Sequence, residues 1–232
     1  GVERIVRINC LRDRFGLADV EHYAPATNDT RYRTASIAKS MTAVVVMALV
    51  ADGKIDLDAE VQTYCPEFPQ KKWPVTVRQL LGHVGGVRHY KNRRETTSTR
   101  HYYDLTSALR TFRDDPLKHE PGSKYLYTTF GYNLLGSIAE GAAECKFSDL
   151  LKERVFLPAS MNQTVADDQA AVVSYRARGY IRPMAADLRK LPPEHNLVAG
   201  KLYNAALHDT RMKIPGGGLL STPSDLVRFA NA

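Results

Sequence analysis

The 232-residue sequence has only three cysteines, a single tryptophan and no long hydrophobic run. Cys10, Cys65 and Cys145 stand far apart with no C-x-x-C pair, so neither a disulfide framework nor a zinc site is indicated. Three reduced thiols acting as small core residues are expected. The longest uncharged apolar run, Ser40 to Ala51, is 12 residues, short of the roughly 20 that cross a bilayer, and no transmembrane segment is expected. Also missing are a G-x-S-x-G elbow, a G-x-x-x-x-G-K-[ST] phosphate loop and an H-E-x-x-H helix, which sets aside three common routes to hydrolysis. The seven histidines are scattered. His83 and His89, six apart, are wrongly spaced for adjacent helical ligands, so no metal and no cofactor is expected.

The residues that are present describe a folded, enzyme-sized chain. With 44% apolar and 25% charged residues it escapes the signature of disorder. The formal charge of +7 raises nucleic acid as a partner. Residues 78–124 hold ten Lys/Arg against five acids, but only Lys91-Asn92-Arg93-Arg94 is a cluster. Without a base-reading signature this reads as a solvated loop, and no nucleic-acid partner is expected.

Periodicity predicts a mixed α+β chain. Val2 to Cys10 reads as a noisy strand. Ile37 to Ala51, with 12 apolar residues in 15, reads as a helix buried on nearly every side and ended by Asp52-Gly53. Thr76 and Gln79 frame a capping box that opens a short helix before Gly85-Gly86. Helical stripes follow at Leu105, Ala108, Leu109, Phe112; at Phe130, Leu134, Ile138, Ala142; and at Phe147, Leu150, Leu151, Val155. Strand material is expected only at the ends. The expected organisation is one domain over 1–232, with a helical lobe at about 60–205 and a partial α/β half from both ends. The chain starts at Gly1 rather than Met. Thr222-Pro223-Ser224-Asp225 reads as a capping box launching a helix about ten residues before Ala232. That pattern is expected of a fragment, poorly active and aggregation-prone by itself.

Three segments carry chemistry. In Ser36-Ile37-Ala38-Lys39 the tetrapeptide is weak by itself, since composition gives about 0.6 chance matches. Its setting is stronger, because Lys39 is the only charge between Arg33 and Asp52. Residues at i and i+3 share a helix face, burial disfavours an ammonium, and a neutral amine can take the serine proton. A Ser N-cap followed by a Lys reaching to water is the competing reading. In the second segment, Tyr127 and Thr129 on an extended loop would point the same way, toward a site or simply into packing. In the third, Gly216-Gly217-Gly218 permits close backbone approach or positive φ, which suits a wall beside a ligand or an ordinary tight turn.

In this order the segments resemble the serine beta-lactamase-related family of class C beta-lactamases, penicillin-binding DD-peptidases and related esterases. Arg33-Thr34-Ala35-Ser36-Ile37-Ala38-Lys39-Ser40 resembles its first motif. Tyr127-Thr128-Thr129 falls where the family shows Tyr-x-Asn, and Gly217-Gly218-Leu219-Leu220-Ser221-Thr222 resembles its later glycine stretch. Gly86-Val87-Arg88-His89-Tyr90 and Tyr64-Cys65-Pro66-Glu67-Phe68-Pro69 extend the resemblance toward the family's animal mitochondrial members. The resemblance implies a beta-lactamase/transpeptidase-like fold, an antiparallel sheet flanked by helices with a helical lobe. It implies Ser36 as acyl-accepting nucleophile, Lys39 as its base and Tyr127 as proton shuttle, with Thr129, Gly217 and Gly218 beside a peptide or ester substrate. It further implies peptidase-like hydrolysis, a mitochondrial location, a link to lipid metabolism and a homo-oligomer or filament. A catalytically idle, filament-forming scaffold is the alternative. Thr129 replaces the pattern's Asn, which argues against antibiotic hydrolysis. Gly85 replaces Ser in a His-x-Ser-Gly turn. A Lys-x-Gly or His-x-Gly strand, the family's third motif, is expected only beyond Ala232.

Overall fold

The computed structural model describes residues 15–188 and 196–232. The strand expected at Val2 to Cys10 lies outside them. Nine helices are described: α1 (Ala38–Ala51), α2 (Val77–Leu81), α3 (Arg93–Thr96), α4 (Leu105–Ala108), α5 (Thr129–Ala143), α6 (Phe147–Leu151), α7 (Ala185–Leu188), α8 (Ile214–Gly217) and α9 (Pro223–Asn231). The strands are short: β1 (Leu17–Asp19), β2 (Ala24–Pro25), β3 (Tyr32–Arg33), β4 (Val165–Ala166), β5 (Tyr180–Ile181), β6 (Tyr203–Asn204) and β7 (Leu219–Ser221). The largest described sheet is antiparallel, of order β3-β7-β4, and two further pairs, β1-β2 and β5-β6, are separate from it. Strand β7 is buried along its length. It carries the register that matters, with Arg33 opposite Leu220 and Val165 opposite the same residue.

Local chemistry sets the helix ends. Thr76 and Gln79 form the reciprocal capping box that opens α2, and Asp52 followed by Gly53 at φ +70° closes α1, both as the sequence predicts. Thr222 does cap α9, its side chain accepting from Asp225 N–H at 3.2 Å. The reciprocal half is absent. The buried Asp225 carboxylate accepts instead from Gln163 N–H, Thr164 Oγ1 and Arg228, tying α9 to the chain before β4.

Helix α5 packs against α1 and α8. The core runs through Met41, Val45, Val46 and Leu49 of α1 and Phe130, Leu134, Leu135 and Ile138 of α5. The expected stripes at 105–112 and 147–155 are buried there too. Three expectations are corrected. Helix α1 is not covered all round, because Val44 and Met47, one turn apart, are 41% and 46% exposed. Strand material also enters the middle of the chain, at β4 and β5. Cys145 is an exposed free thiol rather than a core residue, whereas Cys65 is buried; Cys10 lies outside the described residues.

Candidate active site

Strand β3 leads directly into the site. The Arg33 guanidinium pairs with the buried Asp167 carboxylate at 2.7 Å, and Thr34 N–H donates to Leu219 O at 2.9 Å, so the ladder with β7 fixes where the chain leaves the sheet. The next residue, Ala35, is left-handed at φ +46°, a conformation that costs an L-residue about 1–2 kcal/mol. Residues Ala35–Ile37 form a 3₁₀ turn, and α1 begins only at Ala38. Ser36 is therefore in the approach turn rather than an N-cap, and it makes no side-chain capping bond. Rotation through that turn still places Lys39 beside it.

Lys39 is 6% exposed. Its Nζ lies 3.1 Å from Ser36 Oγ, 3.4 Å from Thr129 Oγ1 and 2.5 Å from the Gly216 carbonyl oxygen. Among the described residues no carboxylate is within ion-pair distance of it. Burial pulls the amine below the ordinary lysine value, against the opposing pull of Tyr127. Three acceptors surround Nζ, matching an ammonium's three donors, and they also serve the neutral form. An amine with two N–H groups can donate to Gly216 O and Thr129 Oγ1 and turn its lone pair to the serine hydroxyl.

Tyr127 arrives from the other side, its Oη donating to Ser36 Oγ at 2.7 Å, with Lys39 Nζ 5.0 Å from its ring centroid. Burial alone would push the phenol up. The Lys39 amine and Ser36 hydroxyl outweigh it and leave Tyr127 below the ordinary tyrosine value. Thr129 is not on an extended loop; it is the first residue of α5, behind the Thr128 N-cap. The structure thus brings Ser36, Lys39, Tyr127 and Thr129 into one hydrogen-bonded group.

The glycine stretch supplies a close approach, not positive φ. A Cβ on Gly217 would lie 3.2 Å from the carbonyl carbon and oxygen of Ala35, so Gly217 packs on the strained residue before Ser36. A Cβ on Gly218 would collide with Thr210 O and with the Ile214 backbone, which makes its contact protein against protein. Gly216 contributes the carbonyl that holds Lys39.

Sequence reasoning missed two residues. His83 Nδ1 accepts from Thr128 N–H at 3.3 Å and His89 Nδ1 from Thr129 N–H at 3.1 Å. Their rings lie 4.6 and 5.9 Å, centroid to centroid, from that of Tyr127. Their six-residue spacing rules out one helix face but not a loop folding back at Gly85-Gly86.

A serine and a lysine on the entry turn of a helix, abutting an antiparallel sheet, belong to an α+β architecture of the beta-lactamase and penicillin-binding type. Residues 10–232 match the Beta-lactamase family, and the chain belongs to that family of hydrolases. It is 31% identical over 285 aligned positions to the human serine beta-lactamase-like protein LACTB, mitochondrial, covering 94% of this chain and 49% of that protein. Because the alignment is longer than the chain, the human protein carries internal insertions here. The D-amino acid amidase of Ochrobactrum anthropi SV3 superposes with a TM-score of 0.79 at 27% identity, over 94% of this chain and 61% of its own. The octameric penicillin-binding protein homologue of Pyrococcus abyssi does so at 0.71 and 26% identity, over 93% and 47%. The chain spans about half the length of the curated relatives it matches.

Proposed function

We propose that this chain carries the serine–lysine half of a serine hydrolase that cleaves an amide or ester through an acyl-serine intermediate. The observation that carries the reading is Lys39, a buried amine 3.1 Å from a hydroxyl with no carboxylate partner among the described residues. Ser36 Oγ attacks the acyl carbon while its proton passes to Lys39 Nζ. The leaving amine or alcohol departs with a proton delivered through Tyr127, and the acyl group remains on Ser36 Oγ as an ester. Water then adds to that ester, and the acid leaves as Ser36 Oγ recovers a proton. Gly217 packs against Ala35 at the turn before Ser36, and Thr129 steadies the amine. No metal or cofactor is needed for these steps. Resemblance to the mitochondrial proteins supports a mitochondrial location, and the octameric neighbour supports a homo-oligomer; peptidase-like specificity, a role in lipid metabolism and filament assembly are part of the proposal. The alternative is a catalytically idle, filament-forming scaffold of the same fold.

A fluorophosphonate probe separates the two. We expect it to label Ser36 in the full-length protein, with no labelling of Ser36→Ala. Lys39→Ala should slow labelling by about 10²–10⁴-fold while circular dichroism stays native. Labelling of Ser36 at an undiminished rate in Lys39→Ala would overturn the dyad.

A further inference from the structure

We propose that His83 and His89 are positioning residues, a pair of neutral imidazoles that hold the Tyr127 loop so that its hydroxyl meets Ser36. This inference rests on the hydrolase reading for its consequence, though not for its geometry. The first amides of a helix have no intrahelical acceptor. At the start of α5, Thr128 N–H is taken by His83 Nδ1 and Thr129 N–H by His89 Nδ1. Two further bonds pin the same loop to the same segment: Leu126 N–H donates to His83 O at 2.8 Å and Thr128 Oγ1 donates to Arg88 O at 2.6 Å. Tyr127 sits between these anchors, and the His83 ring lies 4.6 Å from that of Tyr127 and 4.9 Å from that of Tyr132, centroid to centroid.

Chemistry then fixes the protonation of both rings. A backbone N–H can only donate, so each Nδ1 must carry a lone pair and each proton must be on Nε2. The helix N-terminus disfavours a cation there. Burial comes first in holding both rings below the ordinary histidine value, and Lys39, whenever it is protonated, adds to it. The groups facing His83 are Tyr125, Tyr127, Tyr132, Lys39 and His89. Those facing His89 are Tyr90, Tyr127 and Lys39, while Arg88 donates to the His89 carbonyl oxygen at 2.9 Å. No carboxylate among the described residues pairs with either ring. Protonating either Nδ1 removes an acceptor and sets two donors against each other, releasing the loop.

Long-range ¹H–¹⁵N spectra of full-length Ser36→Ala protein read the tautomers whether or not the serine reacts. We expect Nδ1 of both histidines to be unprotonated at neutral pH; a protonated Nδ1 on either overturns the clamp. The second measurement is the rate of fluorophosphonate labelling of Ser36. Asparagine keeps an acceptor oxygen near the Nδ1 position and tolerates the left-handed backbone of His83 at φ +57°. His89→Leu is expected to slow labelling by about 10²-fold, and His89→Asn to restore it to within about threefold of native. In native protein the rate should show two acid steps, that of Lys39 and one below the ordinary histidine value, and only the second should be absent from the double variant H83N/H89N. Equal losses in His89→Asn and His89→Leu, or survival of both acid steps in the double variant, would overturn the proposal. Absence of Ser36 labelling in native protein would instead defeat the hydrolase reading, leaving the tautomer spectra to decide the clamp.

Discussion

Lys39 owes its character to what it lacks. Its three partners are a main-chain carbonyl and two hydroxyls, none of which stabilises an ammonium as a carboxylate would. Burial depresses the folded value, so folding shifts the balance toward the neutral amine. Labelling of Ser36 should therefore rise with pH through a step below the ordinary lysine value, and Lys39 should destabilise the fold as pH falls through that step. Thr129 Oγ1, at 3.4 Å, is the longest of the three contacts. A neutral hydrogen bond contributes about 0.5–1.5 kcal/mol. Thr129→Val should thus slow labelling by no more than about tenfold, and a loss as large as that of Lys39→Ala would mean that Thr129 does more than steady the amine.

Among the elements, the 3₁₀ turn and α8 act as a unit. Gly217 presses on Ala35 while Gly216 holds Lys39, and Thr42 Oγ1 donates to Pro215 O at 2.8 Å, so α1 and α8 are bolted at two levels. Gly217→Ala must displace the Ala35 carbonyl by a few tenths of an ångström. We expect labelling to fall by about 10²-fold with a loss of stability nearer the common ~1 kcal/mol, measured by urea unfolding. Unchanged labelling would show that the turn tolerates the shift. Much of this scale is legible in the sequence, because capping boxes and helical stripes are local: Thr76 with Gln79, and Phe130 through Ile138, need only their neighbours. The Ser36–Lys39 spacing is legible for the same reason. Strands β4 and β5 are not, since two residues cannot display alternation and their pairing partners lie far along the chain. The histidine clamp is hidden likewise, because a turn at Gly85-Gly86, not a helix, brings His83 and His89 to one loop. Asp225 misleads by matching a local pattern while its carboxylate answers to Gln163 and Thr164.

For the molecule as a whole, α1 is the spine against which α5 and α8 pack, yet one of its faces is open at Val44 and Met47. Composition reveals that a helix is apolar, not which side is covered. The two sides should respond differently to substitution. Met47→Gln is expected to change stability by no more than about 0.5 kcal/mol, whereas Leu49→Ala, fully buried two residues on, should cost about 2–5 kcal/mol. Urea midpoints measure both, and a large cost at Met47 would mean that this face is covered in solution.

The shortest contact to Lys39 ends on a peptide oxygen, and peptide oxygens are common to every residue type. No exchange of side chain at position 216 can erase that acceptor; exchanges can only tilt the plane in which it lies. A mutational survey would therefore register this anchor as an intolerance of bulk along 215–217, with no polar position to betray it, and would file a chemical dependency under steric ones.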